Sequence, residues 1–460
     1  MSFASLDLRE ALLNNVASLG YVEMTPVQAQ SLPIMLSGDD IIAQAKTGSG
    51  KTAAFGLAVL NRLVVESFTV QALVLCPTRE LAEQVAQVMR QLARLMPNVK
   101  VINLSGGIPM RPQLDSLKHG AHIIVGTPGR VKKHLESGAL KLDQLQTLVL
   151  DEADRMLDMG FVDDIGEILT FCPLDCQMLL FSATFSPRVK SLAGKFMRNA
   201  KKIVVEDSQE EVNIEQVFYK VPASADAEKL HLLKSLLMHH KPVSTLIFCT
   251  LKEQTLQIVA SLRAAGFSAI ALNGDMEQVE RDNAIIRFKN NSCSILVATD
   301  VAARGLDIKE LPAVINFETA HNHDVHIHRI GRTGRAGSKG LAITLTTSDD
   351  AERLHMIEEK LQKPLQWGQA SKLKKADDMK LLPEMVTLYI SAGRKDKIRP
   401  GDILGALTKD AGLSSEMIGK IDVGPLYAYI AVHHSQADKA FSYFQDGRLK
   451  GRKIHVRKLD

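Results

Sequence analysis

Residues 45–52 read Ala45-Lys46-Thr47-Gly48-Ser49-Gly50-Lys51-Thr52, and residues 151–154 read Asp151-Glu152-Ala153-Asp154. The first stretch follows a short apolar run, Ile41-Ile42-Ala43, and precedes an apolar-periodic segment, Ala53 to Leu63. That is the pattern of a strand, a glycine loop and a helix. Backbone N–H groups of such a loop converge on phosphate oxygens, and the helix N-terminus adds positive potential. Lys51 is placed to reach the β and γ phosphates of a nucleotide, and the Thr52 hydroxyl to sit on Mg²⁺. The second stretch ends the apolar run Leu148-Val149-Leu150. A strand ending in two carboxylates is where a metal and an attacking water can be held. The strict loop pattern begins with Gly, whereas position 45 is Ala; strand, loop, helix and acidic partner nevertheless agree. A chance Gly-rich turn would leave Asp151 and Glu152 unexplained.

Working outward, 460 residues are too many for one ordinary core and suggest roughly three domains. At 45% hydrophobic and 23% charged residues, the chain is globular rather than disordered or fibrous. No apolar run approaches the roughly 18 residues of a membrane helix. Met1 to Gly20 carries Asp7, Arg9 and Glu10 among its leucines and does not read as a signal peptide. Five scattered cysteines fit a reducing cytosol, so a cytoplasmic location is expected. Cys172 and Cys176 could be half a metal site, but no second pair with ligand spacing is nearby. Residues 368–460 hold 17 Lys and Arg against 11 Asp and Glu, whereas the first 367 hold 39 against 41. A basic surplus confined to one end suggests an appended module for a polyanion; the bland alternative is a solvated charged surface.

From Leu6 to about Val205, strand-like runs alternate with helical ones. The runs are Ile41-Ile42, Ala72 to Leu75, Val99 to Ile102, His122 to Val125, Leu148 to Leu150 and Met178 to Phe181. Such alternation predicts a parallel sheet with helices on both faces. A polar stretch, Glu206 to Glu211, reads as a linker. A second block from about Val212 to Leu365 alternates again, with strands at Ser244 to Phe248, Ala269 to Leu272, Ser294 to Ala298, Ala313 to Asn316 and Leu341 to Leu345. It has no glycine-lysine loop. Lys372 to Lys380 reads as a second linker. The expected division is 1–206, linker 207–212, 213–366, linker 367–384 and 385–460. The fold class is α/β, with two tandem parallel-sheet domains and a small α+β domain.

With these motifs in this order, residues 3 to 365 resemble a DEAD-box RNA helicase. The resemblance implies two RecA-like domains that close on ATP and single-stranded RNA. Gly20-Tyr21 and Thr25-Pro26-Val27-Gln28 resemble the family's adenine-reading motif, which implies nucleotide contacts for Tyr21, Gln28 and the upstream aromatic Phe3; the alternative for Phe3 is a core anchor for a terminal helix. Position 24 is Met where the family commonly has Pro. The loop residues Ala45, Lys46, Thr47, Gly48, Ser49, Gly50, Lys51 and Thr52 would cradle the phosphates. Asp151 would hold Mg²⁺ through water, Thr52 would bind it too, and Glu152 would orient and deprotonate the attacking water. Ser182-Ala183-Thr184 resembles the motif linking the nucleotide to the RNA side. In the second domain, Arg332 and Arg335 resemble arginine fingers, Arg329 suits a structural ion pair, and His326 reads as surface. Gly305 and Asp307 would touch the nucleotide, Asp307 at the ribose. Lys51, Asp151, Glu152, Arg332 and Arg335 are thus the expected catalytic set.

For RNA, Pro77-Thr78-Arg79, Gly106-Gly107 and Thr127-Pro128-Gly129-Arg130 each follow a strand. Hydroxyls, loop N–H groups and arginines suit a sugar-phosphate track. Taken singly, each Thr-Pro or Gly-Gly could be only a turn. Thr250, Gln278, Arg281 and Thr299 are the matching candidates in the second domain.

Residues 385 to 460 show strand-like alternation at Val386 to Ser391 and Tyr427 to Val432, a helix from Pro400 to Gly412, and a final basic strand from Lys450 to Lys458. This resembles a divergent RNA recognition motif. Tyr389, Tyr427 and Tyr429 fall on its aromatic positions and could stack on bases or pack in the core. Lys450, Arg452, Lys453, Arg457 and Lys458 are the basic RNA candidates. A helicase core with such a module is similar to a bacterial subfamily whose module tethers the ATPase to a 23S ribosomal RNA hairpin during large-subunit assembly. The expectation is therefore an ATP- and Mg²⁺-dependent helicase that locally unwinds short duplexes, bound to RNA and not to membrane, and monomeric by default. A DNA translocase on the same fold, and an RNA clamp that ATP merely locks, are the alternatives. The Gln28 element argues against the first, and intact Glu152, Arg332 and Arg335 against the second.

Overall fold

The computed structural model describes residues 1–45, 48–205, 214–222, 226–303, 308, 311–334, 339–373, 383–446 and 448–459. Lys46, Thr47, Gly305, Asp307, Arg335 and the expected linker 207–212 lie outside them. The described chain divides into two units, one reaching residue 205 and one starting at 214.

The first unit is built on seven strands: β1 (Ile41–Gln44), β2 (Ala72–Leu75), β3 (Val101–Leu104), β4 (Ile123–Gly126), β5 (Thr147–Leu150), β6 (Gln177–Ser182) and β7 (Lys201–Val204). All pairings are parallel, in the order β3-β4-β2-β5-β6-β1-β7. Side chains alternate across a strand, and both faces here are covered by helices, so the strands read as apolar runs. Leu73, Leu75, Ile124, Leu148 and Leu180 enter one core layer. Val74, Ile123, Val125, Val149 and Phe181 enter the other. Strand β7 was not expected. It is an edge strand on which only Ile203 is buried, so it carries no apolar run.

The second unit carries two sheets. Strands β8 (Ile214–Lys220), β9 (Thr245–Cys249), β10 (Ala269–Leu272), β11 (Ile295–Thr299), β12 (Ala313–Asn316) and β13 (Gly340–Thr346) form a parallel sheet in the order β10-β11-β9-β12-β13-β8. The edge strand β8 escaped the sequence because Glu215, Gln216 and Lys220 flank its short buried run, Val217-Phe218-Tyr219. The chain then runs beside β8: Phe218 N donates to Gln366 O (2.8 Å), and Gly368 N to Phe218 O (2.9 Å).

The last sheet contains β14 (Met385–Ile390), β15 (Ile418–Val423), β16 (Ala428–His433) and, after a small hairpin of β17 (Arg448–Leu449) and β18 (Arg452–Lys453), β19 (Val456–Leu459). It is antiparallel, ordered β15-β16-β14-β19. The expected single basic strand from Lys450 to Lys458 is therefore two strands: Lys450 (φ 52°) and Gly451 (φ 78°) adopt left-handed conformations that turn the chain back. The expected helix from Pro400 is α-helical to Gly405 and continues as a wider π turn, Ala406–Asp410. Leu388, Ile390, Ala428, Ile430 and Val432 face the helices and form the core of this module.

Candidate nucleotide and RNA site

In a parallel sheet every connection returns to the same edge, and ligands bind at the carboxyl ends of the strands. The loops after β1, β5 and β6 carry the phosphate loop, Asp151-Glu152 and Ser182-Ala183-Thr184. The loops after β3, β4 and β2 carry Gly106-Gly107, Thr127 to Arg130 and Pro77 to Arg79. Strand order thus sorts the nucleotide candidates onto one half of the edge and the RNA candidates onto the adjoining half.

Gly48 (φ 88°) and Gly50 (φ 94°) take left-handed backbone conformations, and Gly50 caps the helix Lys51–Arg62. A Cβ on Gly50 would stand 2.6 Å from Gln28 Nε2. That amide donates to Gly50 O (3.1 Å), while Gln28 Oε1 accepts from Thr25 N (2.9 Å). Gln28 thus ties its own helix, Pro26–Leu36, to the phosphate loop. Phe3 is buried in the core yet stacks on half-exposed Tyr21, with centroids 6.3 Å apart. The two expected adenine aromatics are neighbours, and Phe3 also anchors the core.

Lys51 is buried, and its Nζ donates to Ala45 O (2.9 Å). Asp151 is 3% exposed, and its Oδ1 has no hydrogen-bond partner among the described residues. Burial raises its pKa to about 6, against the pull of Lys51 and with the repulsion of Glu152. A buried, unsatisfied carboxylate oxygen beside a lysine and a helix-start threonine fits a small hard cation bound with phosphate. Glu152 sits in a left-handed conformation (φ 52°) and ion-pairs with Arg155 at 2.9 Å.

Asp154 was not anticipated as a site residue. Its Oδ2 accepts from Ala183 N (3.2 Å), Thr184 N (3.0 Å) and Thr184 Oγ1 (3.1 Å). It joins the loop after β5 to the loop after β6. The available signal was its place at the end of the acidic stretch, three residues after Asp151.

Among the RNA candidates, Thr78 caps the helix Arg79–Leu92 through Leu81 N (3.3 Å). A Cβ on Gly106 would meet Arg79 Nη2 at 3.2 Å, so Arg79 lies over the glycine loop. Arg130 donates to Ile108 O (3.0 Å) and Gln113 Oε1 (2.8 Å). Its pKa is lowered first by burial and then by the like charge of Arg79. Gly107 (φ 80°) turns the loop after β3, and Thr127 and Pro128 start the helix Pro128–Glu136, which includes Gly129.

The second unit repeats the division. Thr250 follows β9, Gln278 and Arg281 follow β10, and Thr299 ends β11, three adjacent strands. Arg281 Nη2 donates to Ala302 O (2.7 Å), and Thr299 Oγ1 accepts from Ala302 N (3.4 Å). The helix His323–Ile330 follows β12. Arg329 grips Asp300 with two bonds of 2.7 Å and donates to Glu318 O (2.9 Å), the expected structural pair. Arg332 is nearly buried just past that helix. His326, expected at the surface, is 1% exposed: it pairs with Gln216 Oε1 (3.0 Å) and stacks on Phe218. The helix must turn one face onto the sheet, and His326 shares that face with Ile330 and Arg329.

In the C-terminal module, three of the basic candidates are already paired. Lys450 meets Asp402 (2.7 Å), Arg452 meets Asp396 (2.6 Å), and Lys458 meets Asp438. Arg457 lies over the Tyr389 ring (4.7 Å), and Lys453 is exposed. Tyr389, Tyr427 and Tyr429 pack on one another outside the module's core, with centroids 5.2 to 6.2 Å apart. Cys172 and Cys176 are free thiols, and no cluster of three or more metal-ligating side chains occurs among the described residues. None of their helices is long and apolar enough to cross a membrane.

The first unit is matched by the DEAD/DEAH box helicase family over residues 25–192, and the second by the helicase conserved C-terminal domain over 228–337. The chain belongs to the DEAD-box ATP-dependent RNA helicases. Within them it is DbpA-like. Residues 387–458 match the DbpA RNA binding domain, and the chain is 48% identical to the ATP-dependent RNA helicase DbpA of Escherichia coli over 459 residues, covering 100% of this chain and 99% of that one. The helicase CshA of Limosilactobacillus reuteri is 40% identical, with 78% of this chain and 71% of that one covered. Saccharomyces cerevisiae Dbp5 bound to RNA and ADP BeF3 superimposes with a TM-score of 0.70 at 30% identity, covering 80% of this chain and 96% of that one.

Proposed function

We propose that the site residues work as follows. The loop 45–52 cradles the triphosphate, with Lys51 on the β and γ phosphates. Phe3, Tyr21 and Gln28 hold the adenine. Thr52 and, through water, Asp151 hold Mg²⁺, which when bound neutralises phosphate charge. Glu152 orients the attacking water and takes its proton. Arg332 and Arg335 stabilise the charge on the transferring phosphoryl group, with Gly305 and Asp307 on the nucleotide. Because these residues come from a different domain, chemistry requires closure. The division into 1–206, 213–366 and 385–460 follows from this reading. Support comes chiefly from the strand order, which puts nucleotide and RNA loops side by side, and from Asp154, which bridges the acidic loop to Thr184. Bound RNA can thereby influence the hydrolytic loop through a few hydrogen bonds.

The RNA track comprises the loops at 77–79, 106–107 and 127–130, with Thr250, Gln278, Arg281 and Thr299. It grips the sugar-phosphate backbone, which carries no sequence information. Target choice therefore falls to the C-terminal module, and similarity over the full chain to DbpA supports 23S ribosomal RNA and large-subunit assembly as the setting. A monomer in the cytoplasm completes the proposal. The test is the ATPase rate of the full chain with a 23S ribosomal RNA transcript, an unrelated RNA of equal length and single-stranded DNA. A selective rise with the first is expected; equal rates with all three would refute the targeting.

A further inference from the structure

Resting on the reading of the C-terminal module as the RNA address, we infer that this module takes RNA at one end of its sheet, where the loop 393–399 and the β17–β18 hairpin meet its tyrosines, and not across the whole sheet face. The opposite end is closed. Thr387 lies on the outward side of β14, yet it is fully buried. Its Oγ1 bonds with Ser292 Oγ (2.6 Å) and accepts from Asn290 Nδ2 (3.2 Å), both on the turn that follows the helix Gln278–Lys289. Met385 N donates to Asn291 O (3.3 Å) beside them. Ala431, the cross-strand partner of Thr387, is 1% exposed on the same face. RNA cannot reach this part of the sheet without breaking a buried polar seam.

The open end has what an unpaired nucleotide requires: cations for phosphate and an exposed ring for a base. Arg394, Lys395 and Lys397 are exposed and have no ion-pair partner among the described residues. Arg394 N and Lys395 N bond with Gly424 O and Pro425 O, 2.9 Å each, which fixes the loop beside Tyr427. Gly393 makes this approach possible, since a Cβ there would stand 2.6 Å from Tyr427 N. Lys450 Nζ reaches Lys397 O (3.0 Å) and brings the hairpin with Lys453 to the same loop. Tyr427 is 38% exposed at the join. Pairing with Asp396 and Asp402 spends Arg452 and Lys450 on building the loop, so Arg394, Lys395 and Lys397 supply the charge for RNA.

The test uses the full chain and a 23S ribosomal RNA transcript containing 4-thiouridine, cross-linked by light and mapped by mass spectrometry. Cross-links within 393–399, 424–427 or 448–453 are expected. Cross-links elsewhere in 385–459 would overturn the loop-end site and leave the module as the address. Cross-links confined to residues below 373 would overturn both. As a second measure, Arg394→Glu with Lys395→Glu should weaken binding of the transcript at least tenfold and lower the slope of log affinity against log salt by about 1.5. The matched reversal Lys409→Glu with Lys420→Glu should weaken it less than twofold; equal losses from both pairs would also sink the site.

Discussion

Asp154 accepts both the backbone N–H (3.0 Å) and the hydroxyl (3.1 Å) of Thr184 on one carboxylate oxygen. Two loops thirty residues apart in sequence are held as one piece. Asp154→Ala should cost about 1–3 kcal/mol, because three half-buried donors lose a charged acceptor. Denaturant unfolding measures that loss. In the same variant, RNA-stimulated ATPase should fall more than nucleotide affinity does.

Glu152→Gln keeps the shape of the side chain and removes the proposed base. Hydrolysis in a single turnover should slow by about 10²- to 10⁴-fold, while binding of a fluorescent ATP analogue changes little. A loss of binding equal to the loss of rate would assign Glu152 to substrate grip instead.

Gly50→Ala places a methyl group 2.6 Å from Gln28 Nε2 on a backbone with φ 94°. The strain should cost about 1–3 kcal/mol. Equilibrium dialysis should show nucleotide affinity falling at least tenfold. Ala45→Gly, at the position where the strict phosphate-loop pattern begins with glycine, should be close to neutral in the same assay.

His326 is neutral in the fold. Burial first, then His323 and Arg329, lower its pKa from 6.5 to about 4. The unfolded chain binds this proton more readily, so the stabilisation is complete above pH 6.5 and is lost as pH falls toward 4. The loss is about 3 kcal/mol at most. His326→Gln should flatten the fall in melting temperature between pH 7 and 5; an unchanged profile would show that another group governs it.

The sequence was most legible where chemistry is local. A phosphate loop needs consecutive residues, so residues 45–52 announce it, and doubly covered strands announce themselves as apolar runs. Edge strands β7 and β15 escaped because their exposed side chains leave no apolar run, and β8 because its buried run, Val217-Phe218-Tyr219, is only three residues long between polar neighbours. His326 was misplaced because a polar residue on a short helix reads as exposed until the sheet beneath it is known. The basic tail read as one strand because charge outweighed the turn signal at Gly451.

Sequence by itself determined the inventory: which loops hold phosphate, carboxylate, hydroxyl and guanidinium groups, and in what order. Only the tertiary structure decided which loops are neighbours. Strand order is set by long-range packing rather than by position in the chain, so β5 lands beside β6 and Asp154 beside Thr184. The same packing buries Thr387 against Ser292, and leaves the Arg394 end of the last sheet open.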